Sequence, residues 1–209
     1  MKINNKKLSL YILLSLCIIL ALTSCSSGSK FEYEIYDSEH QPIPGATGAN
    51  RYVKRVITKE HLNKNEIEEL LKYLKENEIG KIDEDKDQVY IYLYDNEVFA
   101  DSMFSLGMLS QTEGNTKIIS LEKNWDNKPE ESEYEIFKLV DDKILEFEEI
   151  NTERFNEALA KKGADINNLK YDNIDSLSGA IKIVSQEKGL SEDQVDEIYE
   201  KVTLWSISG

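Results

Sequence analysis

The chain has 209 residues, with 40 acidic against 25 basic side chains and a formal net charge of −15 at pH 7. That balance argues against nucleic acid, which selects basic faces, and against anionic lipid or other polyanions unless divalent cations intervene. Hydrophobic residues make up 40% of the chain, above the disordered range, so a folded core is expected.

The first 24 residues stand apart. Lys2, Lys6 and Lys7 precede an apolar run from Leu8 to Leu22, the charged and apolar regions of an export signal. The run is short for a permanent span, which needs about 20 apolar residues. An ordinary cut before Cys25 would put bulky Leu22 where a small residue is preferred. Leu22-Thr23-Ser24-Cys25 instead resembles the lipobox of bacterial lipoproteins: an aliphatic, two small residues and a cysteine. The resemblance covers residues 1 to about 30. It implies a diacylglyceryl group on the Cys25 thiol, cleavage between Ser24 and Cys25, and loss of Cys17 with the signal peptide. The alternative is an uncleaved anchor or a secreted chain with an idle thiol.

If the resemblance holds, residues 25–30 are a flexible serine-glycine tether and the protein is palmitate-labelled. Two acyl chains hold it firmly where one gives only marginal binding. No free cysteine is then left for a disulfide, a nucleophile or a metal site. The charge of the remaining chain falls to −18, because three lysines leave with the signal.

Residues 31–37 alternate Phe31, Tyr33 and Ile35 with Glu32 and Glu34, which predicts a strand with one buried face. An irregular loop follows through Pro42, Pro44, Gly45 and Gly48, then a second strand over 51–58. Asn63 and Glu66 form a capping box, with Leu62 and Ile67 as its staple. Ile67, Leu70, Leu71 and Leu74 make one apolar stripe of a helix that Gly80 stops. The run 88–95, QVYIYLYD, sets Val89, Ile91 and Leu93 on one face and Tyr90, Tyr92 and Tyr94 on the other. It reads as a central strand. Residues 103–110 and 117–122 read as a hairpin turning through Glu113-Gly114-Asn115.

From Pro129 the period becomes helical, with Glu130, Glu131 and Glu133 at the positive end of a helix and Ile136, Leu139, Val140 and Phe147 on its buried side. A separate helix is expected over Thr152–Lys162, ended by Gly163. Another runs from about Asp175 to Lys188, with Leu177, Ala180, Ile181 and Val184 in register and Gly189 as its cap. The last repeats the grammar of the first: Leu190, Ser191, Gln194 and Val195 occupy the staple, cap and box positions. The fold class is therefore α+β. A small, mostly antiparallel sheet with one packed helix occupies 31–126, and a helical region occupies 127–209.

Chemistry-bearing patterns are few. His40 and His61 lack partners at metal spacing, and no nucleophile elbow is present. Asp83, Asp85 and Asp87 copy the start of a calcium loop, but Gln88 and Tyr94 occupy the positions that need Gly and Glu. A solvated turn is the expectation there, as it is for Gly45-Ala46-Thr47-Gly48, which lacks a helix to hold an anion. Paired acids such as Asp141-Asp142 and Glu148-Glu149 are expected by chance among 40. The tyrosine row is the non-generic feature. Tyr90, Tyr92 and Tyr94, joined by Tyr33 or Tyr52, would form either a core layer or a binding surface.

These observations lead us to expect no catalytic residues, metal or cofactor. The expected protein is a lipid-anchored module on the extracytoplasmic face of the cell membrane, bound through Cys25 to the bilayer and through its folded part to an envelope or membrane protein. The alternative is an anchored hydrolase of an envelope substrate that uses carboxylates brought together by folding. A solute receptor of two α/β lobes is disfavoured by length and by the lack of βα alternation.

Overall fold

The structure, a computed structural model, describes residues 30–100, 104–162 and 175–208. It divides into a first unit, Met1–Glu32, and a compact unit, Tyr33–Gly209. Everything below concerns the second. The lipobox with Ser24 and Cys25 lies outside the described residues.

Five strands form one sheet in chain order: β1 (Glu34–Pro42), β2 (Asn50–Ile57), β3 (Gln88–Tyr94), β4 (Gly107–Thr112) and β5 (Asn115–Ser120). All neighbours are antiparallel except β2 and β3, which run parallel because α1 (Lys64–Leu74) crosses over between them. The α+β expectation holds. Strand β1 differs from its predicted limits. It begins at Glu34 and runs through His40 into Pro42, pairing residue by residue with β2 apart from one bulge between Ile35 and Asp37. It is an edge strand, so Ile35 is exposed rather than buried, and Pro42 is tolerated at its end.

Helix α1 forms as its sequence dictates. The Asn63 side chain accepts from the backbone of Asn65 and Glu66, while Glu66 accepts from the Asn63 N–H, closing the box. Ile67, Leu70, Leu71 and Leu74 are fully buried, as are Val89, Ile91 and Leu93. Each such side chain gains about 1.5–3 kcal/mol on leaving water. One π turn (Lys75–Ile79) prolongs the helix until Gly80 ends it at φ 79°. The helix lies against β3, β4 and β5. Gly107 makes that approach possible, since a Cβ there would stand 2.8 Å from the Ile67 side chain and 2.8 Å from the Ile119 carbonyl. The hairpin turns at Glu113 and Gly114, both with positive φ.

Three helices follow: α2 (Glu131–Lys162), α3 (Ser176–Lys188) and α4 (Glu192–Ile207). The predicted break before Thr152 does not occur, and α2 is one helix of 32 residues. Asn151-Thr152 contains no true breaker, and the Thr152 hydroxyl donates back to the Glu148 carbonyl at 2.8 Å. The Gly163 stop lies outside the described residues. Helix α3 is capped by Asp175, whose side chain accepts from the Ser178 N–H, and by Gly189 in the left-handed conformation, and Ser191 and Gln194 close a second capping box on α4. Val140, Ala180, Ile181, Val184 and Val195 form the core of this helical region, but Leu177 is exposed, at the first turn of α3.

Candidate functional site

Alternation along β3 gives the sheet two unlike faces. Val89, Ile91 and Leu93 point toward α1, and Tyr90, Tyr92 and Tyr94 point the other way. Register decides what joins the tyrosines. Val53, Arg55 and Ile57 stand opposite Tyr90, Tyr92 and Tyr94 on β2. Ser110 and Met108 stand opposite Tyr90 and Tyr92 on β4, and Ile119 lies beyond Met108 on β5. On β1, Gln41 and Glu39 extend the rows of Arg51 and Val53. The result is an open trough of about 760 Å³. Its β1–β2 bank is polar, its centre is aromatic, and its far bank is apolar, made by Met108, Ile119 and Phe104.

Of the predicted row, Tyr90 and Tyr92 are half-buried in this trough. Tyr94 is not available as surface. It is fully buried among Phe99, Tyr134, Phe137 and Trp205, because α2 and α4 reach the end of β3. Neither Tyr52 nor Tyr33 joins the row. Tyr52 pairs with Val89 on the opposite face and stacks on His40 with centroids 4.5 Å apart. The Tyr33 hydroxyl donates to Glu78 at 2.6 Å, and burial together with that carboxylate raises its pKa above the ordinary value. In place of those tyrosines stand Arg51 and Arg55, two of the chain's three arginines. Sequence reading passed over them because only the β2–β3 register assigns their face.

The two arginines are engaged differently. Arg55 donates to Asp37 at 2.6 Å and to Glu39 at 2.8 Å. Arg51 donates to the neutral Gln88 carbonyl oxygen at 3.2 Å and has no carboxylate partner among the described residues.

A second cluster closes one end of the trough and was not foreseen. Asp95, buried at the end of β3, accepts from the Ser105 hydroxyl at 2.5 Å, the Tyr134 hydroxyl at 2.8 Å and the Trp205 indole at 2.8 Å. Lys128 lies 3.6 Å away. Burial and the Asp95 charge raise the pKa of Tyr134, so it stays a donor. This carboxylate thus joins the sheet to α2 and α4. Lys123 is also buried, and its ammonium donates to the carbonyls of Trp205, Ser206 and Ser208 at the negative end of α4. Desolvation pushes its pKa down to about 8 against the opposing pull of Asp95.

The remaining sequence candidates are occupied locally. Asp87 is buried and accepts from the backbone N–H groups of Asn50 and Asp83, at 2.8 and 2.9 Å, while Asp83 pairs with Lys86. The Gly45–Gly48 loop is a turn closed by a hydrogen bond from Ile43 N–H to the Ala49 carbonyl. His61 stacks on Trp125 with centroids 4.5 Å apart. Asp141-Asp142 and Glu148-Glu149 lie exposed on α2. No group of three or more metal-ligating side chains occurs among the described residues, nor does any helix long and apolar enough to cross a membrane.

No protein-family model matches the chain, and neither a curated protein nor a solved structure does.

Proposed function

We propose that this chain is a lipid-anchored, non-catalytic module of the extracytoplasmic face of the cell membrane, and that it holds an envelope or membrane protein on the sheet trough. The lipobox supports the address: Cys25 carries the lipid and residues 25–30 leave the folded unit free of the bilayer. The observation that carries the binding role is the composition of the trough. Tyrosine, arginine, methionine and phenylalanine, the residues enriched at protein contacts, gather half-exposed on one face of a chain otherwise dominated by Lys, Glu and Asp. The acids bordering it, Asp37 and Glu39, are paired with Arg55, which favours recognition over proton transfer.

The test is recovery of partners from the protein's own membranes. The lipidated wild type is expected to retain a protein that both Cys25→Ala and Tyr92→Ser lose. Palmitate label should disappear in Cys25→Ala and persist in Tyr92→Ser. A partner retained equally by Tyr92→Ser would reject the trough, and label persisting in Cys25→Ala would reject the anchor.

A further inference from the structure

The trough is ordered in rows. Along the parallel strands β2 and β3 they run Arg51–Gln88, then Val53–Tyr90, then Arg55–Tyr92. Residues two apart on a strand are separated by about 6.8 Å, so the Arg51 row is followed at that spacing by two rows centred on Tyr90 and Tyr92, the last holding the Arg55–Asp37 ion pair. The charges differ along it. Arg55 is engaged by two carboxylates, Asp37 and Glu39, whereas the Arg51 guanidinium donates to the neutral Gln88 amide and has no carboxylate partner among the described residues. A chain of net charge −15 therefore presents, among the described residues, a guanidinium with no carboxylate partner at one end of this aromatic trough.

We propose that the trough takes an extended peptide segment of its partner, with a carboxylate against Arg51 and apolar side chains two and four residues away over Tyr90 and Tyr92. This rests on reading the trough as the contact surface and adds what lies on it. Charge complementarity selects the acid, because guanidinium and carboxylate pair through two parallel hydrogen bonds. Spacing selects the extended form: alternate residues of a strand project to the same side about every 6.8 Å. A helix gains about 6 Å per four residues but turns some 40° past a full rotation each time, so its third contact leaves the trough. Met108 and Ile119 offer no hydrogen bonds on the far bank, which suits aliphatic or aromatic side chains better than sugar hydroxyls.

The experiment selects a phage-displayed random dodecapeptide library on the intact chain in detergent micelles. Recovered peptides are then compared on wild type, Arg51→Gln and Tyr92→Ser, with thermal melting to confirm folding. The expected sequences carry acidic-x-apolar-x-apolar, in either chain direction, and bind at least about tenfold more weakly to each variant. Peptides that lose binding to Tyr92→Ser, but lack an acid or bind Arg51→Gln unchanged, would overturn the acidic segment and leave the trough standing. Apolar positions at helical spacing would overturn the extended form. Failure to select any peptide sensitive to Tyr92→Ser would overturn both this inference and the trough.

Discussion

The two faces of the sheet are built from alternate residues of the same strands, yet they are finished differently. Toward α1, aliphatic side chains are fully buried under a helix that lies between β2 and β3 in the chain. On the other face the cover comes from α2 and α4, far along the sequence, and it reaches only the end of β3 at Tyr94. A helix adjacent in the chain buries the β3 and β4 residues beneath it fully, although Tyr52 and Lys54 on β2 stay half-buried. The distant helices cover only what their anchor point allows. Here the anchor is Asp95, and the uncovered remainder is the trough.

Breaking that anchor should have the largest effect. Asp95→Ala would strand the Ser105, Tyr134 and Trp205 donors in a buried site. Loss of about 3–5 kcal/mol in denaturant unfolding is expected, with the Trp fluorescence change of Trp205 preceding loss of sheet signal. The closed face is sensitive in another way. Gly107→Ala would push a methyl group into Ile67 and the Ile119 carbonyl, lowering stability by about 1–3 kcal/mol. In contrast, Gln111→Met on the same face should raise stability by roughly 1–2 kcal/mol. Its amide is fully buried without a hydrogen-bond partner among the described residues. Tyr92→Ser on the open face removes a half-buried ring packed beside the Tyr94 and Trp205 core and should lower stability by about 1 kcal/mol, well short of Asp95→Ala.

The same contacts can be probed by pH. The folded-state pKa of Lys123 is depressed to about 8, so the folded protein gives up this proton before the unfolded chain does. Stability should therefore rise by about 1–2 kcal/mol between pH 8 and 10. Above pH 10 it should fall, because Tyr134 and Tyr199, whose pKa values are raised, must remain protonated in the fold while the unfolded tyrosines ionise. Lys123→Met should abolish the rise and keep the fall, as read by denaturant midpoints across pH.

Local chemistry was the legible part. Both capping boxes, the Glu113-Gly114 turn and the Gly189 cap involve residues within a few positions of each other, and all form as expected. Period two on β3 identified two faces correctly. What the sequence hid are pairings over distance: Asp95 meets Tyr134 and Trp205 across 39 and 110 positions. No periodicity encodes such partners. The trough's arginines were hidden for a related reason, since Arg51 and Arg55 read as ordinary polar residues until register set them beside the tyrosines.

If a partner covers the open sheet face in the membrane, the trough residues should be shielded there. Hydroxyl-radical footprinting of the lipidated protein, in its own membranes and after purification in detergent, tests it at Tyr92 and Met108. Slower oxidation of both in membranes, with exposed Tyr36 unchanged as the internal reference, is the predicted result. Equal oxidation of Tyr92 and Met108 in the two states would contradict the account.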